Sequence, residues 1–198
     1  LGGLDGNMNS GGRDLFLVKY NSSGTKQWTR QPASSGWEEA HAVATDSSGN
    51  IYVAGTANAL YKFDSSGSQL WRQDTGAAAN GVATDNSSNV FVTGYTSVGL
   101  DNNTNAGGLD PVVMRYLDNG TKQGTRQLGT SFNDIAKGIA TDSSGNVYVA
   151  GDTNGGLDGN TSAGNQDGFV VKFPEPAVHY GNDVPFTGTS SHGANYLL

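Results

Sequence analysis

Three stretches of this chain space oxygen-bearing side chains as a cation-binding loop would. They run Asp5-Gly-Asn7-Met-Asn9-Ser-Gly-Gly-Arg-Asp14, Asp101-Asn-Asn103-Thr-Asn105-Ala-Gly-Gly-Leu-Asp110 and Asp158-Gly-Asn160-Thr-Ser162-Ala-Gly-Asn-Gln-Asp167. Calcium takes about 6–8 oxygen ligands, and alternating Asp and Asn on a tight loop can wrap it. The expected calcium ligands are therefore Asp5, Asn7, Asn9 and Asp14, then Asp101, Asn103, Asn105 and Asp110, then Asp158, Asn160 and Asp167. Each loop holds two carboxylates, so affinity would be weak, ~10⁻⁴–10⁻³ M as in extracellular modules. The third copy, with Ser162, would be weakest. The competing reading is a glycine-rich turn whose Asp and Asn side chains bond their own backbone. The sequence leaves both open.

Other chemistry is sparse. The histidines, His41, His179 and His192, share no metal-ligand spacing. Glu38 and Glu39 form an adjacent carboxylate pair, but Asp134 stands where Glu38 stands in another copy, so the position reads as a recurring solvated loop acid. No nucleophile elbow, phosphate loop or dinucleotide fingerprint occurs. Trp37 lies in a loop, has no counterpart in the other copies and is the expected contact for a sugar or a protein partner.

The elements that position these residues come from a repeat. Ala44 to Gly55 reads Ala-Thr-Asp-Ser-Ser-Gly-Asn-Ile-Tyr-Val-Ala-Gly, and it returns at Ala83 to Gly94 and Ala140 to Gly151. A tandem unit is one supersecondary element that buries its apolar face only by stacking on its neighbours. Each unit predicts four strands, at 15–20, 26–31, 41–46 and 51–56 in the first. The second has 60–64, 69–74, 81–85 and 90–96, and the third 112–117, 122–128, 138–142 and 147–153. A fourth opens at 169–173. The connectors Asn21-Ser-Ser-Gly24, Asp46-Ser-Ser-Gly49, Asp64-Ser-Ser-Gly67 and Asp142-Ser-Ser-Gly145 are short hairpin turns, with Gly at a positive φ. Four antiparallel strands every ~40–57 residues is the period of a β-propeller blade. The predicted fold is all-β: a propeller-type array of about three complete blades and part of a fourth. The units run about 3–56, 57–98, 99–155 and 156–173. Residues 174–198 form a non-repeat tail.

The phrases at Gly3, Asp14, Gly24 and Ala44 resemble the SBBP repeat, the so-called seven-bladed β-propeller repeat of bacterial surface and secreted proteins. The resemblance covers Gly3 to about Phe173. It implies fold and surface location, and no common catalytic residues. Leu60 to Arg72 is similar to the tryptophan-docked blades of pyrroloquinoline-quinone-type propellers, which implies a packing role for Trp71 rather than a cofactor. Gly124 stands at the corresponding place in the third unit.

Composition narrows the function. The chain has 198 residues, 30 of them glycine, a net charge of −7 and 11 Lys plus Arg. Without a basic run it lacks the clustered cations that phosphate neutralisation needs, so nucleic acid is not an expected partner. No apolar run approaches the ~20 residues that span a bilayer. The absence of cysteine excludes disulfides and thiolate metal sites. The start at Leu1 suggests a processed protein or a piece of a longer one. Three blades fall short of the usual ring, so the chain is a fragment, or associates with copies of itself, or is completed by its tail. The expected function is a non-enzymatic structural or adhesive module, extracellular or on a bacterial surface, and possible calcium is the one cofactor expected. Its partners would be other copies or neighbouring blades, and a glycan or surface protein. The alternatives are a ligand-binding propeller, for carbohydrate or protein, and an enzyme domain whose site this chain does not complete.

Overall fold

An Asp with its carboxylate turned onto the next backbone amides opens several of the turns that join neighbouring strands. Asp46 Oδ1 accepts the amides of Ser48 and Asn50, both at 2.9 Å. Asp85 and Asp142 do the same for Ser87 and Asn89, and for Ser144 and Asn146. The fourth turn residue has a positive φ: 78° at Gly49, 82° at Gly145 and 60° at Ser88. Glycine adopts this freely, and Ser88 does so against the preference of an L-residue.

The computed structural model describes residues 3–8, 10, 12–32 and 36–173. Asn9, the tail from 174 onward, His179 and His192 lie outside the described residues. Among the described residues thirteen strands follow in order: β1 (Leu17–Tyr20), β2 (Lys26–Arg30), β3 (Ala40–Thr45), β4 (Ile51–Gly55), β5 (Ala59–Phe63), β6 (Gln69–Asp74), β7 (Ala78–Thr84), β8 (Val90–Thr96), β9 (Asp110–Tyr116), β10 (Lys122–Gln127), β11 (Asp134–Thr141), β12 (Val147–Thr153) and β13 (Asp167–Phe173). Helical structure among the described residues is confined to two single 3-10 turns, Leu4–Gly6 and Leu157–Gly159.

The strands form four antiparallel sheets: β1-β2, β3-β4-β5-β6, β7-β8-β9-β10 and β11-β12-β13. The all-β array of stacked sheets is the fold the repeat predicts. The sheet, however, is out of step with the sequence unit. Each four-stranded sheet takes its first two strands from the end of one unit and its last two from the start of the next, so each sequence unit joins two neighbouring sheets covalently, while the repeated phrase is the hairpin of a sheet's first two strands.

The sheets stack through their first strands. β3 packs on β7, β7 packs on β11, and contact between sheets weakens toward the later strands. That is the geometry of vanes opening from a common edge. Both faces of the middle sheets are buried, giving three apolar layers. Leu15, Val53, Tyr61 and Phe63 fill the first, Tyr52, Leu60, Val90 and Met114 the second, and Phe91, Val113, Val147 and Phe169 the third. Each fully buried side chain of this size contributes about 1.5–3 kcal/mol.

Two inner strands start earlier than predicted, at Ala78 rather than 81 and at Asp134 rather than 138. Both are bulged, between Ala79 and Gly81 and between Ala136 and Gly138, and β3 is bulged likewise between Ala40 and Ala42. A bulge breaks the two-residue alternation on which strand recognition rests.

Candidate functional site: the polar loops and the seam between sheets

The polar loops join the second strand of a sheet to the third, at 97–109 and 154–166, and the first leads into β1. Their opening Asp has a positive φ in all three copies: 51° at Asp5, 49° at Asp101 and 53° at Asp158. The Asn two residues on then turns its amide N–H back. Asn7 donates to Leu4 O, Asn103 to Leu100 O and Asn160 to Leu157 O, each at 2.7 Å. Asn105 donates weakly to Gly108 O at 3.4 Å.

The carboxylates are taken up by the adjacent outer strand. Asp5 accepts Lys26 Nζ at 2.7 Å and Thr29 Oγ1 at 2.5 Å, and Asp101 pairs in the same way with Lys122 and Thr125. The Lys26 and Thr29 bonds hold Asp5 below the usual carboxylate range. Burial pushes Asp101 up, but the bonds from Lys122 and Thr125 outweigh it and lower its pKa. At the loop's far end, Asp14 Oδ2 accepts Ser10 N and Gln31 Nε2, and Asp110 Oδ2 accepts Ala106 N and Gln127 Nε2. The same two glutamines accept Leu4 N and Leu100 N through Oε1. Asp167 accepts Ser162 Oγ and Ala163 N, both at 2.9 Å. Each loop is thus latched to its sheet. The glutamine clasp was not foreseen, although Gln31 and Gln127 occupy matching positions in the repeat.

Among the described residues, each predicted ligand set shares one loop, but Asn7, Asn103, Asn105 and Asn160 present N–H groups to backbone carbonyls. Among the described residues no three acidic or imidazole side chains converge on a point. Asp14 and Asp110 each keep one oxygen, Oδ1, buried and without a hydrogen-bond partner among the described residues.

The acid at 38 and 134 is not solvated, contrary to expectation. Asp134 is fully buried and Glu38 nearly so. Asp134 accepts Thr130 N and Thr130 Oγ1 on one oxygen and Thr153 Oγ1 on the other, tying the connecting loop to β12. A buried carboxylate is stable when its lone pairs are filled in this way.

Side chains also lock one sheet to the next. The bulges of β3 and β7 each aim a residue at the following sheet, whereas Lys137 in the β11 bulge pairs with Asp152 of its own sheet. His41 Nδ1 donates to Ala79 O at 3.0 Å, and Asn80 Nδ2 donates to Ala136 O at 2.8 Å. In the reverse sense, Thr84 Oγ1 donates to Thr45 O at 2.8 Å and Thr141 Oγ1 to Thr84 O at 2.7 Å. Farther out, the buried Lys62 forms an ion pair with Asp118, and Tyr52 donates to the same carboxylate at 2.6 Å. The Lys62 and Tyr52 bonds lower the Asp118 pKa, while burial and Asp118 raise that of Tyr52. Trp71 Nε1 donates to Asp118 O at 3.1 Å, and its ring lies over Gly120, whose φ is 86°. Trp28 packs over Gly67 in the same manner. Trp71 is therefore a packing residue between sheets.

Residues 27–62 and 123–158 match the family model described as SBBP, beta-propeller repeat. Two stretches of the chain are thus similar to the SBBP repeat. Both matched spans begin in the outer strand of one sheet and run into the next, so the matched repeat straddles two sheets, as the sequence unit does. The family is defined by a structural repeat rather than by a reaction. A comparison with curated proteins gives no match. Among solved structures the chain is similar to a protein of unknown function from Bacteroides caccae, at 13% identity and a TM-score of 0.46. The match covers 77% of this chain and 57% of that one.

Trp37 sits beside the first polar loop and is 67% exposed. Arg13 lies over its ring at 5.3 Å and is paired with Glu39. Arg13, Asp14, Phe16, Glu38 and Glu39 line a groove next to it. No helix among the described residues is long and apolar enough to cross a membrane.

Proposed function

We propose that this chain is a non-enzymatic structural or adhesive module of a secreted or cell-surface bacterial protein. One observation supports this most: the polar side chains with chemical potential are engaged in holding loops to sheets and sheets to one another. Gln31 clasps Leu4 and Asp14, Asp134 ties Thr130 to Thr153, and Lys62 with Tyr52 grips Asp118. The lysine-poor, Ser/Thr/Asn-rich composition supports an envelope location. Fractionation of the source bacterium with an antibody to this chain, combined with protease shaving of intact cells, tests it. Recovery from the shaved surface or the medium is expected; a purely cytosolic pool would overturn the reading.

Two narrower readings have their own support. The exposed Trp37 beside a groove of mixed charge suits a glycan or a protein loop, because an aromatic face and flanking polar groups are what sugars stack on and bond to. A glycan array probed with the parent chain and with Trp37→Ala decides it; equal signals remove Trp37 from the site. Calcium is proposed only at the loop base, where the unpartnered oxygens of Asp14 and Asp110 would gain a counter-charge. Calorimetry with calcium should show weak heat that Asp110→Asn reduces, and no heat from the parent chain rules it out.

A further inference from the structure

One end of the sheet β3-β4-β5-β6 is built lower than its neighbours. Its Asp turns join first strand to second and third to fourth, so they share one end. The opposite end carries the link from second strand to third and the crossing to the next sheet. In β7-β8-β9-β10 these are residues 97–109 and 128–133; in β3-β4-β5-β6 they are only 56–58 and 75–77. A low floor is left between two walls. Trp37 forms one, with its carbonyl accepting Thr56 Oγ1 at 3.0 Å. Leu100 forms the other, its Cδ1 3.1 Å from where a Cβ on Gly76 would sit. Floor and walls lie between Trp37 and Leu100 in the chain, inside the array rather than at either flank.

The outer strand of that sheet is changed in step. Thr29 and Thr125 each take a polar-loop carboxylate, and Gln31 and Gln127 each take a polar-loop amide. By strand register Arg72 and Asp74 of β6 stand in those places, and the 56–58 link brings them no polar loop. Ala57, Asn58, Arg72 and Asp74 are all exposed. Arg72 lies over the Tyr61 ring at 5.7 Å, and its Nη2 reaches Ala57 O at the long distance of 3.4 Å. Asn58 O accepts Thr75 N at 2.7 Å, which fixes its backbone while the side chain stays exposed. Asp74 Oδ1 accepts Gly76 N at 2.9 Å. The strand positions that elsewhere hold the protein's own loop thus carry a different set of polar groups, turned to solvent beside an exposed indole.

We propose that this floor, with Asn58, Arg72 and Asp74 as its polar groups and Trp37 as its wall, is a binding site for a neutral pyranose chain. The inference rests on the glycan reading of Trp37 and names the ligand class and the groups that hold it. A pyranose ring has an apolar C–H face and a rim of hydroxyls that both donate and accept. The Trp37 ring, 67% exposed, takes the face. The Asn58 amide and the Arg72 guanidinium donate to hydroxyl oxygens, and the Asp74 carboxylate accepts hydroxyl protons. A ligand carboxylate is disfavoured. Asp74 stands on the floor, Glu39 lies beside Trp37, and the whole chain carries a net charge of −7. Like charges at short range cost energy, so a sugar without a carboxylate is the better fit.

Titration calorimetry on the full chain tests this with neutral trisaccharides of glucose, mannose and galactose, and with trigalacturonate as their acidic counterpart. At least one neutral trisaccharide should bind, and trigalacturonate should bind more weakly than it. Asn58→Gly, which keeps the positive φ of that residue, and Asp74→Asn should each weaken the binding about tenfold, as the loss of one hydrogen bond does. Arg72→Thr, which copies the residue at 29 and 125, should do the same. Circular dichroism checks that each variant folds. No binding of any neutral trisaccharide up to about 10 mM, where even a weak site fills, would overturn the site. Tighter binding of trigalacturonate would overturn the ligand class. Binding that Trp37→Ala removes and the three floor variants leave unchanged would overturn the floor and keep the glycan reading of Trp37. Failure of that wider reading would appear instead on the glycan array, as equal signals from the parent and Trp37→Ala.

Discussion

β3 and β7 carry nearly the same inner-strand phrase, Ala42-Val-Ala-Thr45 and Gly81-Val-Ala-Thr84, and they live in different surroundings. Val82 is 6% exposed, with sheets on both sides; Val43 is 59% exposed. Their backbones are alike, each bulged at the same place and each followed by the same Asp turn. Local sequence therefore decides the strand, and the neighbouring sheet decides what the strand is worth in stability. In a stacked array most of the energy lies between units rather than within them.

The comparison breaks most clearly at that pair. Val82→Asp should cost about 4 kcal/mol or prevent folding, because it buries a carboxylate without a partner. Val43→Asp should stay within about 0.5 kcal/mol, as surface changes usually do. Urea unfolding followed by fluorescence measures both, and similar losses would show that β3 is covered after all.

The tryptophans sharpen the contrast. Trp71 packs against the layer between two four-stranded sheets and bonds Asp118 O, while Trp28 belongs to the two-stranded sheet. Trp71→Ala should cost about 2–3 kcal/mol and Trp28→Ala about 1–2, below the 3–5 typical of a fully buried tryptophan because both are partly exposed. The reverse order in the same unfolding assay would place the stronger seam at β1-β2.

Acid should loosen turns and seam together. Asp46, Asp118 and Asp142 all have pKa values lowered below 3.8. For Asp46, burial raises the pKa and the bonds from Asn50 and Tyr52 outweigh it; for Asp118 the Lys62 bond leads, and for Asp142 the Asn146 bond leads. A folded-state pKa below the unfolded value means stability that is complete above 3.8 and drains away as pH falls through the folded value. Thermal unfolding should be nearly flat above about pH 5 and drop below about pH 4, less steeply in Asp118→Asn. A midpoint that falls already between pH 7 and 5 would contradict these assignments.

The smallest effect belongs to one turn. Ser88 holds a φ of 60° where Gly49 holds 78°. Ser88→Gly should raise stability by about 0.5–1 kcal/mol, and Gly49→Ala should lower it by a similar amount. Differential scanning calorimetry resolves the two signs; a loss at Ser88→Gly would mean its hydroxyl matters more than its backbone.

Much of this was legible in the residues. Asp-Ser-Ser-Gly announced the hairpins, and Val147 to Thr153 and Gln69 to Asp74 have the strand limits that the pattern predicts. The sheet boundaries were not legible, because a repeat shows its period but not its phase: Ala59 to Phe63 pairs with the unit before it, and only the short Thr56-Ala57-Asn58 connection hints at that. The inner-strand starts were hidden by bulges at Asn80 and Lys137. The loop acids were found as a group, but their orientation depends on Lys26, Lys122, Gln31 and Gln127, which approach from another strand. Glu38 looked solvated because a single charged residue in a loop usually is; its burial comes from the stacking of sheets, which no local pattern encodes.

The central claim is that the inner strands lie side by side in the order β3, β7, β11. Methyl-labelled NMR tests it directly through contacts of Thr84, which donates to Thr45, 39 residues earlier, and accepts from Thr141, 57 residues later. The account predicts cross-peaks from the Thr84 side chain to both, and none between Thr45 and Thr141. A direct Thr45–Thr141 contact, or a Thr84 that meets neither, would contradict it.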